Sequence, residues 1–285
     1  MTSNSKKKIT TVNTPPKIVL VLGAGGVKGI AHIGVLEVLE KAGIPIDLII
    51  GCSIGAIIGA FYASGLDTAQ ILKIAKIIIP NRPSYQRLGF PYLRKGLSGK
   101  GFFTVTKLKE LLAQELPNNS FESLKIPLKA CAVDLHKGKL ELLESGSLID
   151  AILASACIPG FFQPVTIDNK SYVDGGIISE LPIEQAKKLG AKIIIGSNVK
   201  GWLKIETNKK IKNIIVRSYD ILRHHHDKKE ESKADIIIRP DLSGLMDRLF
   251  SKPTRIKEIY ERGKLYAEKA LPDIKALLKD LEEKP

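Results

Sequence analysis

At 285 residues, 44% apolar and 26% charged, the chain is long enough for one large α/β domain and too apolar to be intrinsically disordered. Its three cysteines, Cys52, Cys131 and Cys157, are widely spaced with no C-x-x-C pair. That excludes a disulfide framework and a cysteine zinc site, and makes a reducing, cytoplasmic compartment the default. The net charge of +14 would attract anionic membranes and nucleic acids alike, and a solvated basic surface accounts for it as well, so charge alone selects no partner.

In chain order, residues 1–16 form a polar, lysine-bearing tail with no apolar stretch behind it, read as a disordered basic tail rather than a signal peptide. Lys17 to Leu22 reads as a buried strand. A glycine loop follows, then a helix from about Val27 to Ala42 closed by Gly43. Leu48 to Leu66 carries no charge and imitates a membrane span, but its glycines and serines divide it into a strand (Asp47 to Cys52), a turn and a helix (Ile54 to Ser64). Pro80 to Phe103 interleaves Tyr85, Phe90, Tyr92, Phe102 and Phe103 with Arg82, Arg87, Arg94 and Lys95, as expected of a lid or membrane-facing rim, or of a plain exposed loop.

Further strands are expected at Leu128 to Val133 and Lys139 to Leu143, and a helix from Leu148 to Ser155 that Pro159-Gly160 ends. Ser171 to Val173 reads as a short strand, and Pro182 to Leu189 as a helix closed by Gly190. Lys192 to Gly196 and Asp235 to Arg239 are buried-strand runs, and Glu258 to Leu281 reads as a helix pair broken near Pro272. Alternating β and α segments with near-continuous apolar strands imply a three-layer α/β/α domain with a mostly parallel sheet, spanning residues 17–285 without a linker.

Three features carry chemistry. Gly51-Cys52-Ser53-Ile54-Gly55 is a G-x-S-x-G pattern between an apolar strand and an apolar helix, the setting in which a sharp turn exposes a nucleophilic serine. Turns rich in small residues also produce this pentapeptide. Gly23-Ala24-Gly25-Gly26-Val27-Lys28-Gly29 is a second strand-to-helix loop. A dinucleotide loop would need its third glycine one residue earlier, where Lys28 stands, and the P-loop pattern is absent. An oxyanion hole remains, with backbone donors from Gly25, Gly26 and Val27. The third feature is Asp174-Gly175-Gly176, either a plain turn or a general base beside a sharply turning chain.

No histidine serves well as the base for such a serine. His32 falls inside the first helix as a packing or capping residue, and His136 sits in an exposed turn. His224, His225 and His226 are consecutive, so on a helix they point in different directions. An aspartate in direct contact with the serine needs no imidazole relay, and burial beside a neutral hydroxyl would strengthen it as a base.

A glycine loop, then G-x-S-x-G, then D-G-G, in that order, resembles the patatin-like phospholipases, over roughly Lys17 to Leu245. The run Ala154-Ser155-Ala156-Cys157-Ile158-Pro159-Gly160-Phe161-Phe162-Gln163-Pro164-Val165 is similar to the block that precedes the family's aspartate strand, and Gly96-Leu97-Ser98-Gly99 is similar to another family segment. The likeness is greatest to short bacterial members related to the catalytic domain of neuropathy target esterase. The resemblance implies a Ser53–Asp174 dyad, an oxyanion hole within Gly23 to Gly29, an elbow formed by Gly51, Cys52, Ile54 and Gly55, and an Asp loop at Gly175 and Gly176. It also implies ester hydrolysis of phospholipids, lysophospholipids or other acyl lipids without metal or cofactor. Acyl transfer by the same dyad is the alternative, and a non-catalytic basic module the rival. Peripheral contact with anionic membrane is the expected association, and no nucleic acid is expected. One departure is that relatives often carry asparagine shortly after D-G-G, whereas this chain has Ser179-Glu180.

Overall fold

A computed structural model describes residues 17–78, 105–159, 162–200, 228–243 and 255–283, with single positions at 214, 218, 221 and 245. The basic tail, the aromatic rim at 80–103 with its Gly96–Gly99 run, Gly160-Phe161 and the three consecutive histidines lie outside the described residues.

Eight strands share one sheet: β1 (Ile18–Leu22), β2 (Leu48–Cys52), β3 (Leu128–Asp134), β4 (Lys139–Leu143), β5 (Val165–Ile167), β6 (Lys170–Asp174), β7 (Ile193–Ser197) and β8 (Ile236–Ile238). Their order is β5-β6-β3-β2-β1-β7-β8, with β4 also paired to β3. Parallel pairings run through the centre, from β3 across β2, β1 and β7 to β8. The described helices are α1 (Ile30–Lys41), α2 (Ile54–Ala63), α3 (Thr68–Ile78), α4 (Thr106–Glu115), α5 (Leu148–Ala156), α6 (Ile183–Lys188) and α7 (Ile256–Glu283).

The period-two alternation of the strands divides the apolar core between the two faces of the sheet. Leu20, Leu22 and Ile49 join one cluster with residues of α1, α2, α5 and α7, whereas Val19, Val21, Ile50 and Cys52 join a second with Leu181, Ile183 and Ala186. Central strands buried on both faces need side chains that are apolar at every position, which is why KIVLVL and DLIIGC read as continuous runs.

The charge-free stretch from Leu48 resolves into β2, a turn and α2, and no described helix is long and apolar enough to cross a membrane. One expectation changes. The closing segment is one helix, α7, with Pro272 inside it rather than a broken pair. Pro272 lies on the exposed side, where water can satisfy the carbonyl that loses its N–H partner, while Ile259, Gly263, Ala267 and Ile274 keep one buried stripe facing α1. The sheet also carries an antiparallel edge. β4 folds back on β3, and β5 and β6 form a hairpin turned by Asp168 and Asn169 at φ 48 and 61, the left-handed pair that a tight two-residue hairpin turn requires.

That antiparallel edge positions the site. β4 pairs with β3 along Ala130 to Asp134, so β2, paired with Leu128 to Cys131, and β6, paired with Ala132 to Asp134, must share its other edge. β2 ends with Cys52 beside Cys131, and β6, running the opposite way, ends with Asp174 beside Ala132. Two strands therefore meet head-on along one edge of β3. The residue after Cys52 is Ser53.

Candidate active site

Ser53 turns the chain from β2 into α2 with φ 55 and ψ −122, a conformation that costs a non-glycine residue of order 1–3 kcal/mol. The surroundings hold it there. Its N–H donates to the buried Ser155 hydroxyl at 2.9 Å, and its carbonyl accepts from the N–H of Ala56 at 3.0 Å. Gly55 is required by close approach, since a Cβ there would fall 2.6 Å from the Leu22 carbonyl carbon and 2.8 Å from the Gly23 oxygen. Gly51 faces Ala56 in the same way, its added Cβ only 2.6 Å from the Ala56 nitrogen. The elbow thus packs directly against the start of the glycine loop.

Asp174 is 5% exposed and faces Ser53, which is 6% exposed. Burial raises the Asp174 pKa from 3.8 to about 6, opposed by hydrogen bonds from the Ser53 hydroxyl and the Gly176 N–H. The Gly176 N–H reaches Oδ1 at 2.7 Å, the Cys52 Sγ lies 4.0 Å from the same oxygen, and the Asp174 N–H donates to the Cys157 carbonyl at 2.9 Å. Near neutral pH this carboxylate is ionised but held close to its protonation point, where a general base is most effective.

The glycine loop closes the third side. Gly25 has φ 173 and ψ 3, Gly26 takes φ 55, and Gly26–Gly29 form a single 3-10 turn. Three of the loop's N–H groups are committed internally: Gly23 to the Ser197 carbonyl, Ala24 to that of Glu180 and Lys28 to that of Gly25. Those of Gly25, Gly26 and Val27 have no backbone partner among the described residues. Gly29 packs against Ile54, where a Cβ would lie 2.5 Å from Cγ2.

His32 is fully buried, with Nε2 2.9 Å from the Gly23 carbonyl and Nδ1 2.8 Å from the Ser197 hydroxyl. A carbonyl only accepts, so Nε2 carries the proton and Nδ1 accepts from Ser197. Burial lowers the His32 pKa from 6.5 to about 4, the Gly23 bond opposing it, so the ring is neutral. Both nitrogens are spent on tying the loop to β7, and neither is available to Ser53. His136 is exposed in its turn.

A family model described as patatin-like phospholipase matches residues 20–187, more than half of the chain and all three of these segments. The chain belongs to the patatin-like phospholipase family. An uncharacterised NTE family protein from Mycobacterium tuberculosis is 33% identical over 190 residues, covering 66% of this chain and 51% of that protein. The human patatin-like phospholipase domain-containing protein 6 is 31% identical over 194 residues, covering 67% of this chain and 14% of its own length. Lysophospholipase NTE1 of Coccidioides immitis is 33% identical over 180 residues, covering 63% of this chain and 11% of that enzyme. The chain therefore spans about half, or much less, of the relatives it matches. The crystal structure of VipD from Legionella pneumophila shares the fold, with a TM-score of 0.52 at 14% identity over 91% of this chain and 67% of that one.

Within this patatin-like site the fold brings together Ser53, Asp174 and the loop around Gly25. Sequence reasoning did not assign roles to Ser155, Ser197, Glu180 or Lys200. Ser155 lay within a recognised block, and Glu180 stood at the noted departure from asparagine, but only the fold relates either to Ser53 or Asp174.

Proposed function

We propose that the chain is a serine hydrolase of acyl-lipid esters in which Ser53 is the nucleophile and Asp174 its base. The observation that carries this reading is a strained, buried serine facing a buried aspartate whose pKa burial has raised to about 6. Asp174 takes the Ser53 proton as Oγ attacks the ester carbonyl carbon. The N–H groups of Gly25, Gly26 and Val27 receive the developing oxyanion; losing one such donor raises a barrier by about 3–4 kcal/mol. Asp174 then gives its proton to the leaving alcohol as the carbon–oxygen bond breaks, leaving an acyl-serine. Water repeats the sequence, losing a proton to Asp174 and releasing the fatty acid from Ser53.

The names of the relatives favour phospholipids or lysophospholipids as substrates, and the net charge of +14 is compatible with substrate held at an anionic bilayer surface. The test is fluorophosphonate labelling together with p-nitrophenyl ester turnover and a panel of phospholipids and lysophospholipids. Labelling and turnover that vanish in Ser53→Ala and Asp174→Asn support the dyad. Unlabelled, inactive wild type or fully active variants overturn it.

A further inference from the structure

The departure at Glu180 places a second carboxylate beside the first. A Cβ added to Gly176 would lie 3.0 Å from Asp174 Oδ1 and 3.7 Å from Glu180 Cγ, so the two side chains face one another across a single glycine. Glu180 is 5% exposed and is ion-paired to Lys200, whose side chain is 14% exposed. Lys200 follows β7 and is set in place by its own N–H, which donates to Asn198 Oδ1 at 2.9 Å. The Asn198 amide in turn bonds Glu231, which pairs with Arg239 beyond β8. The Glu180 carbonyl accepts the Ala24 N–H at 2.7 Å, so one residue reaches both the glycine loop and the aspartate.

We propose that the buried Glu180–Lys200 pair is a positioning element of the site, one that sets the charge balance felt by Asp174 and holds the glycine loop beside it. The proposal rests on Asp174 acting as the base. Among the described residues the remaining groups facing Asp174 are neutral. They are the Ser53 hydroxyl, the Cys52 thiol from β2, the Cys131 thiol from β3 and the Cys157 thiol after α5. Burial, and then the Asp174 charge, push the Cys157 thiol up to about 12, while Cys131 is raised by burial, by Glu230 and by Asp174. Among the described residues Glu180 and Lys200 are thus the charges that act on Asp174, Glu180 raising its pKa and Lys200 lowering it.

The two charges can be separated by sign. With Glu180 still ionised, Lys200→Met removes only a cation, so Asp174 ionises less readily. Glu180→Gln removes an anion whether or not Lys200 then loses its proton, so Asp174 ionises more readily. The experiment is kcat/KM for a p-nitrophenyl ester, and the rate of fluorophosphonate labelling, between about pH 4 and pH 9. The acid limb is expected to move up by about one pH unit in Lys200→Met and down by a similar amount in Glu180→Gln, with Lys200→Arg close to wild type. A purely structural role would lower both variants without moving their limbs in opposite directions, and that result overturns the proposal. If either single variant does not fold, the exchange Glu180→Lys with Lys200→Glu keeps the pair and places the cation nearer Asp174. Its acid limb should fall, and an unmoved limb refutes the idea. Failure of the dyad itself reads differently, as full activity in Asp174→Asn.

Discussion

Replacing Asp174 by asparagine should destroy activity and stabilise the protein at neutral pH. Burial raises the Asp174 pKa from 3.8 to about 6. Ionising it in the folded chain therefore costs about 3 kcal/mol more than in the unfolded chain. The stability contributed by the protonated form is fully present below the unfolded pKa and is lost as pH rises through about 6. Asparagine does not titrate, and it keeps an acceptor for the Gly176 N–H. The difference in stability between variant and wild type should be near zero below about pH 4 and approach 3 kcal/mol above about pH 7. For 285 residues, with an unfolding entropy of about 2 cal/mol/K per residue, that is a Tm higher by about 5 °C. Differential scanning fluorimetry or urea titration across this range measures it. The difference, rather than either curve alone, is the useful quantity, because His32 acts in the opposite sense. Its pKa is lowered to about 4, so its contribution is lost as pH falls through the same window. An Asp174→Asn protein less stable than wild type at neutral pH, or a gap independent of pH, would refute the account of Asp174 as a buried, reluctantly charged base.

Ester hydrolysis by wild type should show an acid limb in kcat/KM near the Asp174 pKa of about 6 and fall about tenfold per pH unit below it; a profile flat down to pH 4 excludes this base. Ser155→Ala should lower kcat by about ten- to a hundredfold with little change in KM, since an unpaired Ser53 N–H costs about 1–3 kcal/mol and loosens the strained elbow. Stopped-flow acylation rates report that step directly. His32→Gln should lower Tm and slow acylation together, because the amide cannot span both the Gly23 carbonyl and the Ser197 hydroxyl; a variant with normal acylation would show that the tie does not hold the loop.

The alternating strands, the G-x-S-x-G turn and the glycine loop were legible in the sequence because each is a local pattern: apolar runs, small residues and caps within a few positions. What brings Ser53 to Asp174 is not local. It depends on β2 and β6 sharing one edge of β3, and β6 reaches that edge through a hairpin whose Asp168-Asn169 turn is a weaker sequence signal than Asn-Gly. Pro272 illustrates the converse. A local breaking signal is overridden where a buried stripe on both sides keeps the helix against α1. His32 was legible as a packing residue, but which groups it joins is fixed by Ser197, far along the chain.

The head-on meeting of β2 and β6 has a consequence for how the site can move. Ser53 and Asp174 are carried on strand ends that rest against Cys131 and Ala132, adjacent residues of one continuous backbone. Their separation is thus referenced to a single peptide unit of a hydrogen-bonded central strand, not to the packing of a helix. Motions of the helical layers can change access to the pair without changing the pair itself. A one-residue slip of β3, by contrast, would turn its side chains to the opposite face and carry both partners out of register together. The serine and the aspartate stand or fall with the sheet.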